Sequence, residues 1–570
     1  MYRQGLGDCF LLALPATGGT TRYMLVDCGV HKRQTDGTER LEQVLASLAA
    51  STGSHLDVVV ATHEHADHLS GIVQKNSPFL ADDFSIGEVW LGWTEKRGDP
   101  QADKLRRQRG TAQKVIDKAM EKLQGLGVAG DAAKERLADV MGFEDPAEDA
   151  VDVDAVERAI ARSRKASAAE PSVDPLSALD LSGSPLAAAS TSKATSKKVK
   201  PSSNELALGL LASKAGSSGP VYLEPGAVRK IDTVPGVRAY ALGPPRSELL
   251  KKEAPSKIKG ARERDPGGLY KEVYLTSGPN WALALSPALD AELPDDAITV
   301  PDDWRYPFAK PFRRDRKWQE DENRTTTTCW NHEPPLSTAK LIRNTYDDPA
   351  SSWRRIDTDW LGAAEPLALD LVSDTNNTSL VLALECGDPG EGHVLLFAAD
   401  AQVGNWLSWR DQTYGDGRKF SADDLLSRVL LYKVGHHGSH NSTLRRDPRE
   451  PSPADALGVP FGLELMNDII ALIPVDRDAV DKKMPTPWHM PHEPLYRRLR
   501  EKARRRVLRS DRSLAPLDSR REEADEVPRS EQWSGVPGMK GLRWRRSKDD
   551  FAIGTEGPLY YDIAIPLEKR

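Results

Sequence analysis

Two short apolar runs near the start of the chain, Cys9-Phe-Leu-Leu-Ala-Leu14 and Tyr23-Met-Leu-Val-Asp27, flank the turn-rich Ala16-Thr-Gly-Gly-Thr20 and predict a β-hairpin. From about Glu39 to Ala50 the apolar residues Leu41, Val44, Leu45 and Leu48 recur at helical spacing, so one face of a helix is apolar. Leu56-Asp-Val-Val-Val-Ala61 is then a valine-rich run of the kind found in strands buried on both faces. It leads straight into a dense polar cluster.

Beyond this opening the pattern becomes discontinuous. Residues from about Gln101 to Val140 are helical and heavily charged, whereas Pro146 to Ser203 is rich in Ala, Ser, Pro, Asp and Lys and is expected to be a flexible insertion. Strand patterns return at Val221–Glu224 and Val237–Leu242, and a second excursion, about Arg246 to Arg355, is rich in Pro, Trp and charge. Further strands are predicted at Ser379–Leu384, Val394–Ala399, Val429–Lys433, Ile469–Pro474 and Leu559–Ile565, the last suited to an edge, with a short helix at Ala422–Ser427 and a basic helix from about Glu493 through Arg509. The expected organisation is a core in pieces: 1–100 first part, 101–205 helical and partly disordered insertion, 206–245 core strands, 246–355 loop-rich insertion, 356–570 second part with a C-terminal strand.

Composition narrows the class without changing this picture. In 570 residues, 78 basic and 85 acidic side chains give a net charge of -7, so any pull towards nucleic acid must be local. No apolar run is long enough to span a membrane, and the first residues lack the basic-then-apolar pattern of a secretory signal, so a cytoplasmic location is expected. Cys9, Cys28, Cys329 and Cys386 show no close-spaced pair and read as buried thiols.

Three strand ends carry candidate chemistry. His63-Glu-His-Ala-Asp-His68 sets three imidazoles and a carboxylate on the loop after the valine-rich strand, a donor set that suits zinc, manganese or iron, and Gly71 follows where the next element must pack closely. Asp400 ends the apolar run that begins at Val394, and Val434-Gly-His-His-Gly-Ser439 follows another such run.

The first cluster resembles the HxHxDH signature of the metallo-β-lactamase superfamily. Gln4-Gly-Leu-Gly-Asp8, Tyr23–Gly29, Asn376-Asn-Thr-Ser-Leu380, Ala399-Asp400 and His436-His-Gly-Ser439 are similar to the branch that contains the ComEC-type competence metallohydrolase domain. The resemblance covers about half of the chain in three blocks. It implies an α/β fold, an αββα sandwich here interrupted by two large insertions. It also implies two divalent ions, Zn or Mn, with His63 and His65 on one, Asp67, His68 and His437 on the other, and Asp400 between them. Asp67, His436 and Ser439 are the expected catalytic groups, and Asp27 is expected to orient a liganding histidine. No third superfamily histidine is evident before Asp400, which leaves Asn377 or a water as its substitute, and His489 stands where the branch carries a late histidine.

The chemistry so implied is metal-dependent hydrolysis, with nucleic-acid phosphodiesters as the leading substrate class. Arg497, Arg498, Arg504 and Arg505 offer a local basic stripe for phosphates, and Arg313-Arg-Asp-Arg-Lys-Trp318 a basic-aromatic segment. A regulatory protein partner, as in bacterial defence, is a contextual expectation. A small-molecule phosphodiesterase or lactonase and a non-catalytic binding protein are the alternatives.

Overall fold

The computed structural model describes residues 1–123, 128–144, 150–167, 201–216, 218–231, 233–247, 250, 361–415, 417–449, 458–482, 487–511, 543–546 and 559–565. The segment Arg313–Trp318 and almost all of the second excursion lie outside them. Contacts divide the chain into two compact units. One comprises Met1–Leu105, Met141–Tyr270 and Val372–Arg570, and the other Arg106–Val140 and Lys271–Leu371.

The first unit holds two sheets. Strands β1 (Cys9–Pro15), β2 (Thr21–Cys28), β3 (His55–Ala61), β4 (Ser85–Gly92) and β5 (Val221–Leu223) lie side by side in that order. Only the β1–β2 hairpin is antiparallel there; β2, β3, β4 and β5 pair in parallel. The second sheet runs in the order β14 (Val507–Arg509), β13 (Ile470–Ile473), β10 (Val429–Lys433), β9 (His393–Phe397), β8 (Val381–Cys386), β7 (Val237–Gly243), β6 (Val228–Lys230). Its β9, β10, β13 and β14 are parallel to one another. A small ladder joins β11 (Arg446–Asp447) to β12 (Val459–Pro460).

Period-two alternation decides which side chains face which layer. In β2 and β3, Met24, Val26, Val58 and Val60 enter an apolar layer shared with Leu382, Leu384, Phe397, Leu431 and Leu472 of the second sheet. Leu25, Val59 and Ala61 point the other way, onto Leu41, Val44, Leu45 and Leu48 of α1 (Gly37–Thr52) and Leu69, Ile72 and Val73 of α2 (Ala66–Val73). The second sheet's outer face packs on Trp406 and Leu407 of α8 (Val403–Ser408), on Leu425 and Leu426 of α9 (Ala422–Ser427), and on Leu495 and Leu499 of α10 (Glu493–Lys502). Three apolar layers between four layers of elements make the expected αββα sandwich.

Gly71 lies in α2 where the helix crosses the end of β2. A Cβ there would sit 2.8 Å from both the carbonyl oxygen and the sulfur of Cys28. Gly71→Ala is therefore expected to destabilise the protein by about 1–3 kcal/mol through overpacking, read from the denaturant midpoint.

Several expectations need correction. The low-complexity stretch expected from Pro146 contains α5 (Val153–Ser167), which buries Val156, Ala159 and Ile160 in the same layer as Leu206, Leu210 and Leu211 of α6 (Ser203–Lys214). Three well-spaced apolar residues suffice once a neighbouring helix covers them. The segment expected to hold only strands after residue 205 opens with that α6, started by a reciprocal Ser202–Glu205 capping box. The expected C-terminal edge strand is present as β16 (Tyr561–Ala564), paired with β15 (Arg543–Arg546) in a separate two-stranded sheet.

In the second unit the described residues are helical: the latter part of α3 (Pro100–Leu123), α4 (Val128–Val140) and the start of α7 (Leu361–Asn377). Val115, Ile116, Leu137 and Leu367 are among its buried side chains. Among the described residues no helix is long and apolar enough to cross a membrane.

Candidate metal centre

Parallel strands put their carboxyl ends, and the loops that leave them, at one end of a sheet. β3 ends at Ala61 and releases His63 and His65 on a loop, with Asp67 and His68 in the first turn of α2. β9 is followed by Asp400, and β10 by a tight turn over Gly435–Gly438 that carries His436 and His437. Four non-glycine residues at these ends hold left-handed backbone: Asp27 (φ 56°), Ala399 (φ 47°), His436 (φ 41°) and His437 (φ 52°). Such strain persists only where surrounding contacts over-determine it, and these four positions border one cluster.

The cluster is Asp67, His68, Asp400 and His437, all buried, with one donor atom from each lying within 4.8 Å of the others. His437 Nε2 is 2.8 Å from Asp67 Oδ2, and His68 Nε2 is 3.3 Å from Asp400 Oδ1 and 3.7 Å from Asp67 Oδ2. The outer ring nitrogens are held from behind: His68 Nδ1 donates to Asp27 Oδ2 (2.8 Å), and His437 Nδ1 to the Pro474 carbonyl (2.7 Å). This arrangement turns both Nε2 atoms inward, as liganding histidines require. Asp67 Oδ1, Asp400 Oδ2 and His68 Nε2 are buried and make no hydrogen bond. Unpartnered oxygens on two converging buried carboxylates fit a cation.

His63 and His65 adjoin this group. His63 Nε2 lies 3.1 Å from His65 Nδ1, and the His63 and His68 rings are 4.2 Å apart. Thr62 Oγ1 donates to Asp27 Oδ2 (2.8 Å), and His63 Nδ1 lies 3.1 Å from Thr62 Oγ1 and 3.4 Å from Ser379 Oγ.

Electrostatics follow from the crowding. Burial alone pushes the His68 imidazole down, but the Asp400, Asp67, Asp8 and Asp27 carboxylates outweigh it and hold its pKa well above the ordinary histidine value. His437 is raised in the same way, burial being overcome by Asp400 and Asp67. Burial would lift Asp67 and Asp400, yet His68 and His437 beside them keep both carboxyls below the usual range. His63 is driven well below its ordinary value by burial and by His68 and His65, so it is neutral. Lys433, also buried, donates to Asp8, to the Ala399 carbonyl (2.9 Å) and to Asp400 Oδ1 (3.4 Å).

His436 sits in a directed chain. Asn376 Nδ2 donates to its Nε2 (3.3 Å), its Nδ1 donates to Ser439 Oγ (2.9 Å), and Ser439 Oγ donates to Asn441 Oδ1 (2.8 Å). Burial pushes its pKa down to about 4, so the ring is neutral and turns a lone pair towards Asn376.

Other expected positions lie differently. Asn377 does not take a ligand's place: its Oδ1 accepts the backbone N–H groups of Gln402 (3.2 Å) and Asn405 (3.4 Å), and it is Asn376 that reaches His436. His489 is turned outwards, its side chain 79% exposed, and its neighbour Trp488 instead stacks on Phe143 with ring centres 5.1 Å apart. Helix α10 stops at Lys502, and the arginine stripe is engaged by the protein's own carboxylates. Arg497 pairs with Glu493, Arg498 with Glu464 and Glu501, and Arg504 with Asp468, while Arg505 follows the helix in left-handed backbone. Asp8, Lys433 and Ser379 were missed as site residues. Asp8 closes the Gln4–Asp8 motif, Lys433 directly precedes Val434–Ser439, and Ser379 accepts from the Asp400 N–H (3.2 Å), a contact no local pattern announces.

Comparison with known families matches residues 2–74 to the metallo-beta-lactamase superfamily. No curated protein and no solved structure matched the chain. The matched segment contains the β1–β2 hairpin, α1, β3, the histidine cluster and α2. The chain has the metallo-β-lactamase fold, and its buried histidine–aspartate cluster suits divalent metal ions and a metal-dependent hydrolase.

Proposed function

We propose that the protein is a dinuclear-metal nuclease of the ComEC-like kind that hydrolyses nucleic-acid phosphodiesters. His63 and His65 hold one divalent ion, Asp67, His68 and His437 the other, and Asp400 is shared. The donor set lacks cysteine and fits Zn²⁺ or Mn²⁺. A pair of such ions, when bound, lowers the pKa of a shared water towards neutrality and clamps the entering and leaving oxygens of a phosphodiester. The observation that carries the reading is the convergence of Asp67, His68, Asp400 and His437, all buried, with one donor atom of each within 4.8 Å of the others.

The chain's own residues do the positioning. Asp27 and the Pro474 carbonyl fix the two imidazoles on which Asp67 and Asp400 converge. The neutral His436 is held beside them by Asn376 and Ser439. Support for nucleic acid as substrate comes from the motif resemblance. The ion pairs that occupy Arg497, Arg498 and Arg504 favour the second reading, a small phosphodiester substrate.

The test is incubation of purified protein with labelled single- and double-stranded DNA and RNA in Mn²⁺ or Zn²⁺, alongside bis-(p-nitrophenyl) phosphate. Cleavage of a polynucleotide that a chelator abolishes is the expected result. Turnover of the small ester alone would transfer the assignment to the second reading, and no turnover of either would overturn both.

A further inference from the structure

The stretch between β4 and β5 has no counterpart in the motifs that carry the resemblance, yet one of its carboxylates reaches the histidine cluster. Glu144 follows a single helical turn, Met141–Phe143, and its Oε1 lies 3.3 Å from His65 Nε2. Its backbone is pinned: Asn204 Nδ2, from α6, donates both to the Glu144 carbonyl (2.7 Å) and to the carbonyl of Glu64 (2.8 Å), within the histidine motif itself. One amide therefore ties the turn to the loop that bears His63 and His65. Phe143 completes the seat, its ring 5.7 Å from that of His65 and 4.4 Å from that of His31.

From this geometry we infer that Glu144 is a positioning residue for the metal centre: it keeps the His65 proton on Nε2 and so presents the Nδ1 lone pair to a divalent ion. A carboxylate can only accept, so His65 Nε2 must carry the proton, and a neutral ring then has none on Nδ1. That Nδ1 faces His63 Nε2 at 3.1 Å, a separation at which the two nitrogens either share a proton or lie against one cation. A carboxylate behind a liganding imidazole also raises its basicity, and losing one typically weakens metal affinity about 10–100-fold.

The inference rests on the proposed metal centre, and zinc titration of the full chain against a chromophoric chelator separates the two. Wild type is expected to take up two equivalents. Glu144→Ala is expected to weaken one of them about 10–100-fold and leave the other unchanged, while Glu144→Gln, whose amide oxygen still accepts from Nε2, weakens it less. In the metal-free protein, ¹⁵N shifts of the His65 ring are expected to show Nε2–H in wild type and a tautomer mixture in Glu144→Ala, a change that mere loosening of the turn would not produce. Should Glu144→Ala fail to fold, Glu144→Gln and Asn204→Ala carry the test, and each must weaken that same equivalent. Two equivalents bound by every variant with unchanged affinity would overturn the role of Glu144 and leave the metal centre standing. No zinc uptake by wild type would overturn both.

Discussion

Asp400→Ala is expected to lower hydrolytic turnover by at least about 10³-fold and to remove one bound metal equivalent, measured by metal analysis beside a phosphodiesterase assay. Asp400 is fully buried at the end of β9, between His68 and His437, and the neighbouring Ala399 is held in left-handed backbone that aims it there. One carboxylate oxygen accepts the His436 N–H (3.1 Å) and the other has no hydrogen-bond donor. The substitution thus removes a shared donor and the anchor of the His436 turn together. Asp400→Asn separates these effects: it keeps the shape and the accepting oxygen but loses the charge, and it is expected to fold normally and remain inactive. Retention of more than a tenth of wild-type turnover by Asp400→Asn would show that the charge is not needed for hydrolysis.

Lys433→Met is expected to destabilise the metal-free protein by about 3–5 kcal/mol, read from the denaturant midpoint, because removing one partner of a buried ion pair strands the others. The Lys433 ammonium is buried against Asp8 and Asp400, which overcome the effect of burial and hold its pKa above the ordinary lysine value. Methionine fills a similar volume and offers no charge, leaving two carboxylates in the interior. Saturating zinc is expected to recover part of the loss, since it stabilises the folded form by mass action. A midpoint unchanged within about 1 kcal/mol would mean that the pair contributes nothing to folding.

The core was legible where local pattern and tertiary placement coincide. β3 was readable because a valine-rich run needs two covering layers and receives them, and the histidine cluster was readable because its six residues are contiguous. The β1–β2 hairpin followed from its turn residues, and the short helix expected at Ala422–Ser427 is present. What failed depended on distant partners. The pairing of Arg498 with Glu464 and of Arg504 with Asp468 was hidden because those carboxylates lie 34 and 36 residues away. Helix α5 looked unstructured because its few apolar residues mean nothing until α6 covers them. Asn376 and Asn377 are neighbours with the same side chain, and only the packing of α8 decides which one serves the backbone and which meets His436.

The hydrogen bond between Asp67 and His437 spans 370 positions of sequence. A polypeptide emerging from the ribosome at roughly 5–20 residues per second therefore carries its first histidines for many seconds before the second imidazole-bearing turn exists. Throughout that interval the nascent chain can gather no complete donor set, so hydrolysis can begin only after both sheets have been made and docked. A proteolytic nick that let the halves part would switch the molecule off without touching any of the residues that bind or react.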